Sequence, residues 1–188
     1  WFDGVPGQVS LLSSIGFITI GFLAISPNVT HLDPAAQQHL ALIAFILAGI
    51  SIAGLLFDFP PNRVLMGDTG AMFFGLMLGV LTIYAGGKVA TAFLVLGVPL
   101  IDSGIVILRR ISHGRSPLHG SVQGEHLHHL LLARGWSQRK VVLLTALLGT
   151  AFGITALFLS TREKFFAAVL LLAIMIALHV YAGKTNRV

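Results

Sequence analysis

The sequence predicts an all-α polytopic membrane protein. About six transmembrane helices are expected, with one long loop rich in histidine and arginine. Three observations predict this class. Hydrophobic residues make up 55% of the 188 residues and charged residues only 10%, with a mean hydropathy of +0.89; a soluble domain carries about 25% charged residues. The apolar residues gather into runs close to the roughly 20 that a helix needs to cross a bilayer. Backbone polar groups inside a bilayer must be satisfied within the chain, which favours helices over isolated strands. The same composition excludes disorder and collagen-like repeats. With no cysteine in the chain, disulfide frameworks and thiolate metal sites are excluded. The net charge of +5 reads as loop orientation and anionic-ligand binding rather than nucleic-acid binding.

The expected spans are 9–25, 38–57, 69–85, 89–108, 141–160 and 165–182. The 26–37 connection holds Pro27, Pro34 and Asp33, and the 58–68 connection holds Pro60-Pro61. Residues 86–88 and 161–164 read as tight turns, and 109–140 as a long polar loop. The chain opens at Trp1 in a polar, glycine-rich segment without a signal peptide, as expected of a piece of a longer protein.

Six spans place alternate loops on opposite sides. One side receives Arg63, Arg109, Arg110, Arg115, Arg134, Arg139, Lys140, Lys184 and Arg187, and the other Lys88, Arg162 and Lys164. The positive-inside rule assigns the first side to the cytoplasm. Asp3, Asp58, Asp68 and Asp102 then converge on that face beside arginines and histidines. Such a face suits a divalent cation and a phosphorylated substrate.

Four segments carry the candidate chemistry. In Asp3-Gly4-Val5-Pro6-Gly7 an acidic residue sits in a turn where glycines permit close backbone approach; a plain turn before a helix is the alternative. Asp68, between Gly67 and Thr69-Gly70, reads either as a helix N-cap or as a carboxylate on Mg²⁺ with Thr69 toward phosphate oxygens. Asp102 lies in the apolar run 98–104, where an ionisable group is a functional hypothesis by default. Pro99 is expected to kink that span. Arg109 follows Asp102 by two turns on the same face, which leaves a structural Asp–Arg pairing open. In the 109–140 loop, Arg109, Arg110 and Arg115 suit phosphates. His126, His128 and His129 lack the spacing and glutamate of a zinc-binding helix and fit hydrogen bonding to a phosphate better. Ser137 reads as an N-cap and Trp136 as an interfacial anchor. Gly75-x-x-x-Gly79 and Gly149-x-x-x-Gly153 read as close-packing patterns. His31, His39 and His179 receive no role.

Taken together, these motifs resemble those of the polyprenyl-phosphate N-acetylhexosamine-1-phosphate transferases, the membrane enzymes of glycosyltransferase family 4. The resemblance covers essentially the whole chain, as the C-terminal part (1–188) of a single transferase domain. Asp3-Gly4-Val5-Pro6-Gly7 is similar to the family's Asp-Gly-x-x-Gly segment. Met66-Gly67-Asp68-Thr69-Gly70-Ala71 is similar to Met-Gly-Asp-x-Gly-Ser, with Ala71 in place of Ser. Pro99-Leu100-Ile101-Asp102 with Arg109-Arg110 is similar to the Pro-x-x-Asp…Arg-Arg helix. Gly114-Arg115-Ser116-Pro117 with His126-Leu127-His128-His129 is similar to the cytoplasmic histidine loop.

The resemblance implies transfer of a sugar 1-phosphate, of the GlcNAc type, from a UDP-N-acetylhexosamine to polyprenyl phosphate in the bacterial cytoplasmic membrane. UMP is released and envelope glycan synthesis begins. It implies Mg²⁺, or Mn²⁺ in its place, held by Asp68 with Asp3. His126, His128 and His129 are implied as catalytic, and Asp102, Arg109, Arg110, Arg115 and Thr69 as substrate-binding. Membrane lipids are implied partners, nucleic acid is not, and a homodimer stays open. A phospho-MurNAc-pentapeptide transferase is the alternative within the family; a transporter or a non-catalytic membrane scaffold is the alternative outside it. The family's Asp-Asp pair does not occur here, so the isolated chain is expected to be inactive.

Overall fold

A computed structural model describes residues 5–26, 33–85, 96–114, 116 and 125–183. The described residues form seven helices: α1 (Gln8–Ile25), α2 (Pro34–Asp58), α3 (Gly67–Tyr84), α4 (Gly97–Ser112), α5 (Leu127–Ala133), α6 (Gln138–Phe158) and α7 (Thr161–Gly183). α1, α2, α3, α6 and α7 lie at expected spans, and α4 overlaps the span expected at 89–108 from Gly97 onward. Among the described residues four helices, α1, α2, α3 and α7, are long and apolar enough to cross a membrane, against six expected. α4 is 16 residues long.

Local chemistry sets the helix starts. Asp33 accepts from the Ala35 and Ala36 N–H groups at 3.2 and 3.3 Å, and Pro34 occupies the first helical position. This cap starts α2 one turn before the expected boundary. Glu163 accepts from the Ser160 N–H at 2.7 Å. Residues 161–164, expected as a turn, are therefore the first turn of α7. Ser137 caps α6 as expected, accepting from the Lys140 N–H at 3.4 Å. Pro99 is the third residue of α4. Its missing N–H falls where no intrahelical acceptor exists, so it suits the start of α4; the kink expected at Pro99 depends on 89–95, which with the 86–88 turn lie outside the described residues.

The 109–140 segment is less of a loop than its polarity predicts. α4 continues to Ser112, and α5 forms where Leu127, Leu130 and Leu131 make an apolar stripe at helical spacing. That stripe packs into a cluster with Val98 and Ile101 of α4, Val141 and Val142 of α6, Leu171 and Met175 of α7, and Val5; Trp136, expected as an interfacial anchor, packs partly buried against it. A second cluster joins α1, α2 and α3 through residues such as Phe17, Ala44 and Phe74. The Phe17 and Phe74 rings meet edge to face at 5.7 Å.

The two glycine pairs part company. A Cβ built at Gly149 or Gly153 would meet Leu12 Cδ2 or Thr19 Oγ1 at 2.9 and 2.8 Å, so these glycines let α1 and α6 pack closely and a side chain at either would make its neighbour shift. Nothing described lies within 4 Å of the corresponding positions at Gly75 and Gly79, so this pair packs no helix among the described residues.

One end of the bundle is stitched by polar contacts. Arg139 Nε donates to the Pro60 carbonyl at 2.8 Å. Arg134 Nε donates to the Ala182 carbonyl at 3.3 Å, with its guanidinium 4.1 Å from the Tyr181 ring centroid. Gly7, at φ 82°, lies against Asp58 and Phe59 so closely that a side chain there would meet the Phe59 Cα at 3.1 Å. The start of α1, the 58–66 connection, the start of α6 and the end of α7 therefore share one face.

Candidate functional site

That face carries two groups of polar residues. The first centres on Asp102, which is 2% exposed. Its Oδ2 accepts from His126 Nδ1 at 2.7 Å and its Oδ1 from the Leu127 N–H at 2.9 Å. His179 Nε2 lies 3.0 Å from Oδ1, too obliquely for an aligned hydrogen bond. One carboxylate thus joins α4, the first residues of α5, and α7. The alternative pairing with Arg109 is not what occupies Asp102; Arg109 is exposed.

The histidines follow from this anchor. The His126 and His128 rings stack 5.7 Å apart at 9°, and the His128 and His129 rings lie 4.2 Å apart. Burial, with His129 close by, pushes His128 down to about 4. His129 is also lowered, by burial and then by His126. At neutral pH both rings are neutral and exchange hydrogen bonds rather than supply charge. Arg110 was expected on phosphate. Instead it is buried and paired with Glu125, Nε at 2.6 Å and Nη2 at 2.5 Å from Oε2. That pair fixes the residue before His126 to the end of α4.

The second group surrounds Asp68. Asp68 and Thr69 lie exposed in the first turn of α3, after Gly67 at φ 71°. Of the two readings of Asp68, the N-cap is not met: Met66 holds that position and no side chain caps the helix. Asp68 lines a cavity of about 40 Å³ with Val5, Pro6, Met66, Gly67, Ala71 and Asp58. Asp58 is 5% exposed. Its Oδ2 accepts from Ser10 Oγ at 2.9 Å, whereas Oδ1 has no partner among the described residues.

An orphaned acceptor beside a second carboxylate fits a hard cation or its bound water. The cavity admits little more, and Mg²⁺ commonly takes one or two carboxylates and keeps several waters. Among the described residues no three His, Asp or Glu side chains gather as a metal-ligand set. The two groups meet through Val5, which lines the cavity and packs with α5. Asp3 and Arg115 lie outside the described residues.

Sequence reasoning missed three residues here. His179 sits in an apolar span, where the argument that singled out Asp102 applies equally. Glu125 adjoins the histidine run. Asp58 was placed on the right face but given no role.

A larger apolar cavity of about 370 Å³ opens between α1, α3, α4 and α6. Ala71, one turn beyond Asp68, is on its wall with Leu12, Met72 and Leu100.

Comparison with known proteins bears on this face. A family model described as Glycosyl transferase family 4 matches residues 1–86. The chain is 29% identical over 192 residues to a Bacillus subtilis protein named "Probable undecaprenyl-phosphate N-acetylglucosaminyl 1-phosphate transferase", covering 99% of this chain and 51% of that protein. It is 33% identical over 195 residues to the decaprenyl-phosphate N-acetylglucosaminephosphotransferase of Mycobacterium tuberculosis, covering 93% and 47%. The undecaprenyl-phosphate alpha-N-acetylglucosaminyl 1-phosphate transferase of Escherichia coli is 28% identical over 152 residues, covering 77% and 40%. The chain spans about half the length of the curated relatives it matches.

Proposed function

Because the chain belongs to glycosyl transferase family 4, we propose that it forms the C-terminal part of a membrane transferase that moves GlcNAc-1-phosphate from UDP-GlcNAc to a polyprenyl phosphate. An oxygen of the lipid phosphate forms a bond to the β-phosphorus, the bond from that phosphorus to the UMP oxygen breaks, and UMP leaves. The lipid-linked product then opens envelope glycan synthesis on the cytoplasmic face. The names of the relatives support the sugar and the lipid.

The observation that carries the reading is Asp102. It is a buried acid within an apolar helix, bonded to the first histidine of a basic segment. Such an arrangement fixes phosphate-directed side chains at the membrane surface, where a lipid phosphate and a water-soluble nucleotide can meet.

Phosphoryl transfer depends on positioning and charge neutralisation. Mg²⁺ supplies neutralisation of the phosphate oxygens when bound. Asp68 would hold it with Asp3, and Asp58 stands behind Asp68 with an acceptor to offer. Thr69 presents a hydroxyl beside Asp68. Exposed Arg109, with Arg115, brings positive charge to the nucleotide and lipid phosphates. His126, His128 and His129 orient phosphate or sugar through hydrogen bonds. Arg110 serves them indirectly, through Glu125. The apolar cavity beside Ala71 offers the surface that a prenyl tail needs.

The test is UMP release by the full-length protein in lipid nanodiscs with polyprenyl phosphate and Mg²⁺. UDP-GlcNAc should support turnover that requires the lipid phosphate. Turnover with UDP-MurNAc-pentapeptide alone would move the protein to the other branch of the family. No UMP from either donor would overturn the transferase reading.

A further inference from the structure

Asp58 is the last residue of α2 and is 5% exposed. Its two oxygens have different surroundings. Oδ2 accepts from Ser10 Oγ at 2.9 Å, and Ser51 Oγ donates to the Ser10 carbonyl at 2.7 Å, so two serines pin the start of α1 to α2. Oδ1 has no partner among the described residues. A carboxylate oxygen is an acceptor, and one buried without a donor is costly.

Asp58 borders two cavities, and neither offers Oδ1 a side-chain donor. One is an apolar cleft between α1, α2 and α3, walled by residues such as Phe57, Val64 and Phe73, where Ser10 is the sole donor and is already used. The other is the cavity of about 40 Å³ that Asp58 shares with Asp68. The chain returns there because the Arg63 and Val64 N–H groups both donate to the Phe57 carbonyl, at 2.8 and 3.2 Å. Asp58 and Asp68 are the only polar side chains on the wall of that cavity among the described residues. The space holds a few waters at most. The donor for Oδ1 therefore enters from outside the described chain.

We infer that Asp58 is a positioning residue for the cation proposed at Asp68: Oδ2 is the structural anchor, and Oδ1 accepts from a water on that cation. The inference rests on the proposed cation and gives Asp58 an outer place around it. Mg²⁺ gives up its waters reluctantly and takes one or two carboxylates directly. Exposed Asp68 is placed to be such a ligand, and buried Asp58 to hold a water behind it. A water on a cation turns its hydrogens outward, and a fixed acceptor then orients it and the ion together.

The experiment uses the full-length protein in nanodiscs, with Mn²⁺ as the probe, read by electron paramagnetic resonance. Asp58→Leu removes both oxygens, whereas Ser10→Ala breaks the anchor and keeps Oδ1. The Kd for Mn²⁺ should rise by about 10- to 100-fold in Asp58→Leu, the scale for losing an outer partner of a metal ligand. Ser10→Ala should quicken amide exchange at the start of α1 and raise the Kd far less. Asp58→Asn keeps one neutral acceptor, so its Kd should lie between the wild type and Asp58→Leu, and it decides the matter if Leu does not fold. The number of waters on bound Mn²⁺, counted in oxygen-17 water, should be the same in all.

Equal weakening in Asp58→Leu and Ser10→Ala would reduce Asp58 to an anchor and overturn the inference. An Asp58→Asn protein that binds Mn²⁺ as the wild type does would overturn it too. One more water on Mn²⁺ in the Asp58 variants would make Oδ1 a direct ligand, and a wild type that binds no Mn²⁺ would remove the cation; either result refutes the outer role. None of these readings needs turnover. A protein that binds Mn²⁺ as expected but releases no UMP therefore sinks the transferase reading alone.

Discussion

Replacing Asp102 with alanine is the sharpest test of how this face is built. The carboxylate accepts from His126 and from the first amide of α5, and it faces His179, all while nearly excluded from solvent. A hydrogen bond to a charged group contributes about 1.5–3 kcal/mol, and removing one partner of a buried ion pair costs about 3–5 kcal/mol. The two ways of counting agree near 3–5 kcal/mol for undocking α5. At about 1.4 kcal/mol per factor of ten, local opening becomes between about 10² and 4 × 10³ times more frequent. The assay is amide exchange with mass-spectrometric readout on the peptide spanning 125–134, in nanodiscs. Peptides from α1 and α2 serve as the control, since Asp102 touches neither. Asp102→Asn should fall between, because one oxygen still accepts from Leu127. Unchanged exchange in the 125–134 peptide of Asp102→Ala would refute the reasoning, because α5 would then be held by its leucines alone.

Other outcomes follow from the same geometry. Asp68→Asn in the full-length protein should cut UMP release by about 100-fold or more, the scale for losing a group that neutralises transition-state charge. The melting temperature should stay unchanged, because Asp68 is exposed. Gly153→Val should destabilise the α1–α6 contact by about 1–3 kcal/mol, read as a lower melting temperature, since even a Cβ there meets Thr19 Oγ1 at 2.8 Å. Burial holds His128 at about 4, against 6.5 for the free ring, so the undocked segment takes the proton first. The stability it contributes is full above pH 6.5 and declines as pH falls toward 4, by up to about 3 kcal/mol; protease protection of 125–133 should fall across that window.

The fold was legible where hydropathy decides it. Five expected spans coincide with helices, because a run such as 38–57 can satisfy its backbone in no other way within lipid, and the span expected at 89–108 meets α4 only from Gly97. Boundaries were misplaced where a single side chain decides them. Asp33 ahead of Pro34 and Glu163 behind Ser160 each add a turn that a hydropathy window averages away. The glycine pairs show the same limit: identical spacing at 75/79 and 149/153 gives contact only where a partner helix arrives. In the site, residue types pointed to the right face, while pairings between distant segments were out of reach. Asp102 and His179 lie 77 positions apart in sequence (179 − 102), and nothing local to either names the other.

The contacts of Asp102 explain why an acid is tolerated in α4 at all. An isolated carboxylate in a low-dielectric setting would take up a proton rather than stay charged. The His126 ring and the Leu127 amide instead donate to its two oxygens, with His179 Nε2 3.0 Å from Oδ1. Both donors come from the start of α5, so the carboxylate is satisfied only when that segment is docked. The stacked histidines cannot all be charged at once without mutual repulsion, which the lowered His128 and His129 express. The His128 and His129 rings are thereby left to direct hydrogen bonds rather than to carry charge.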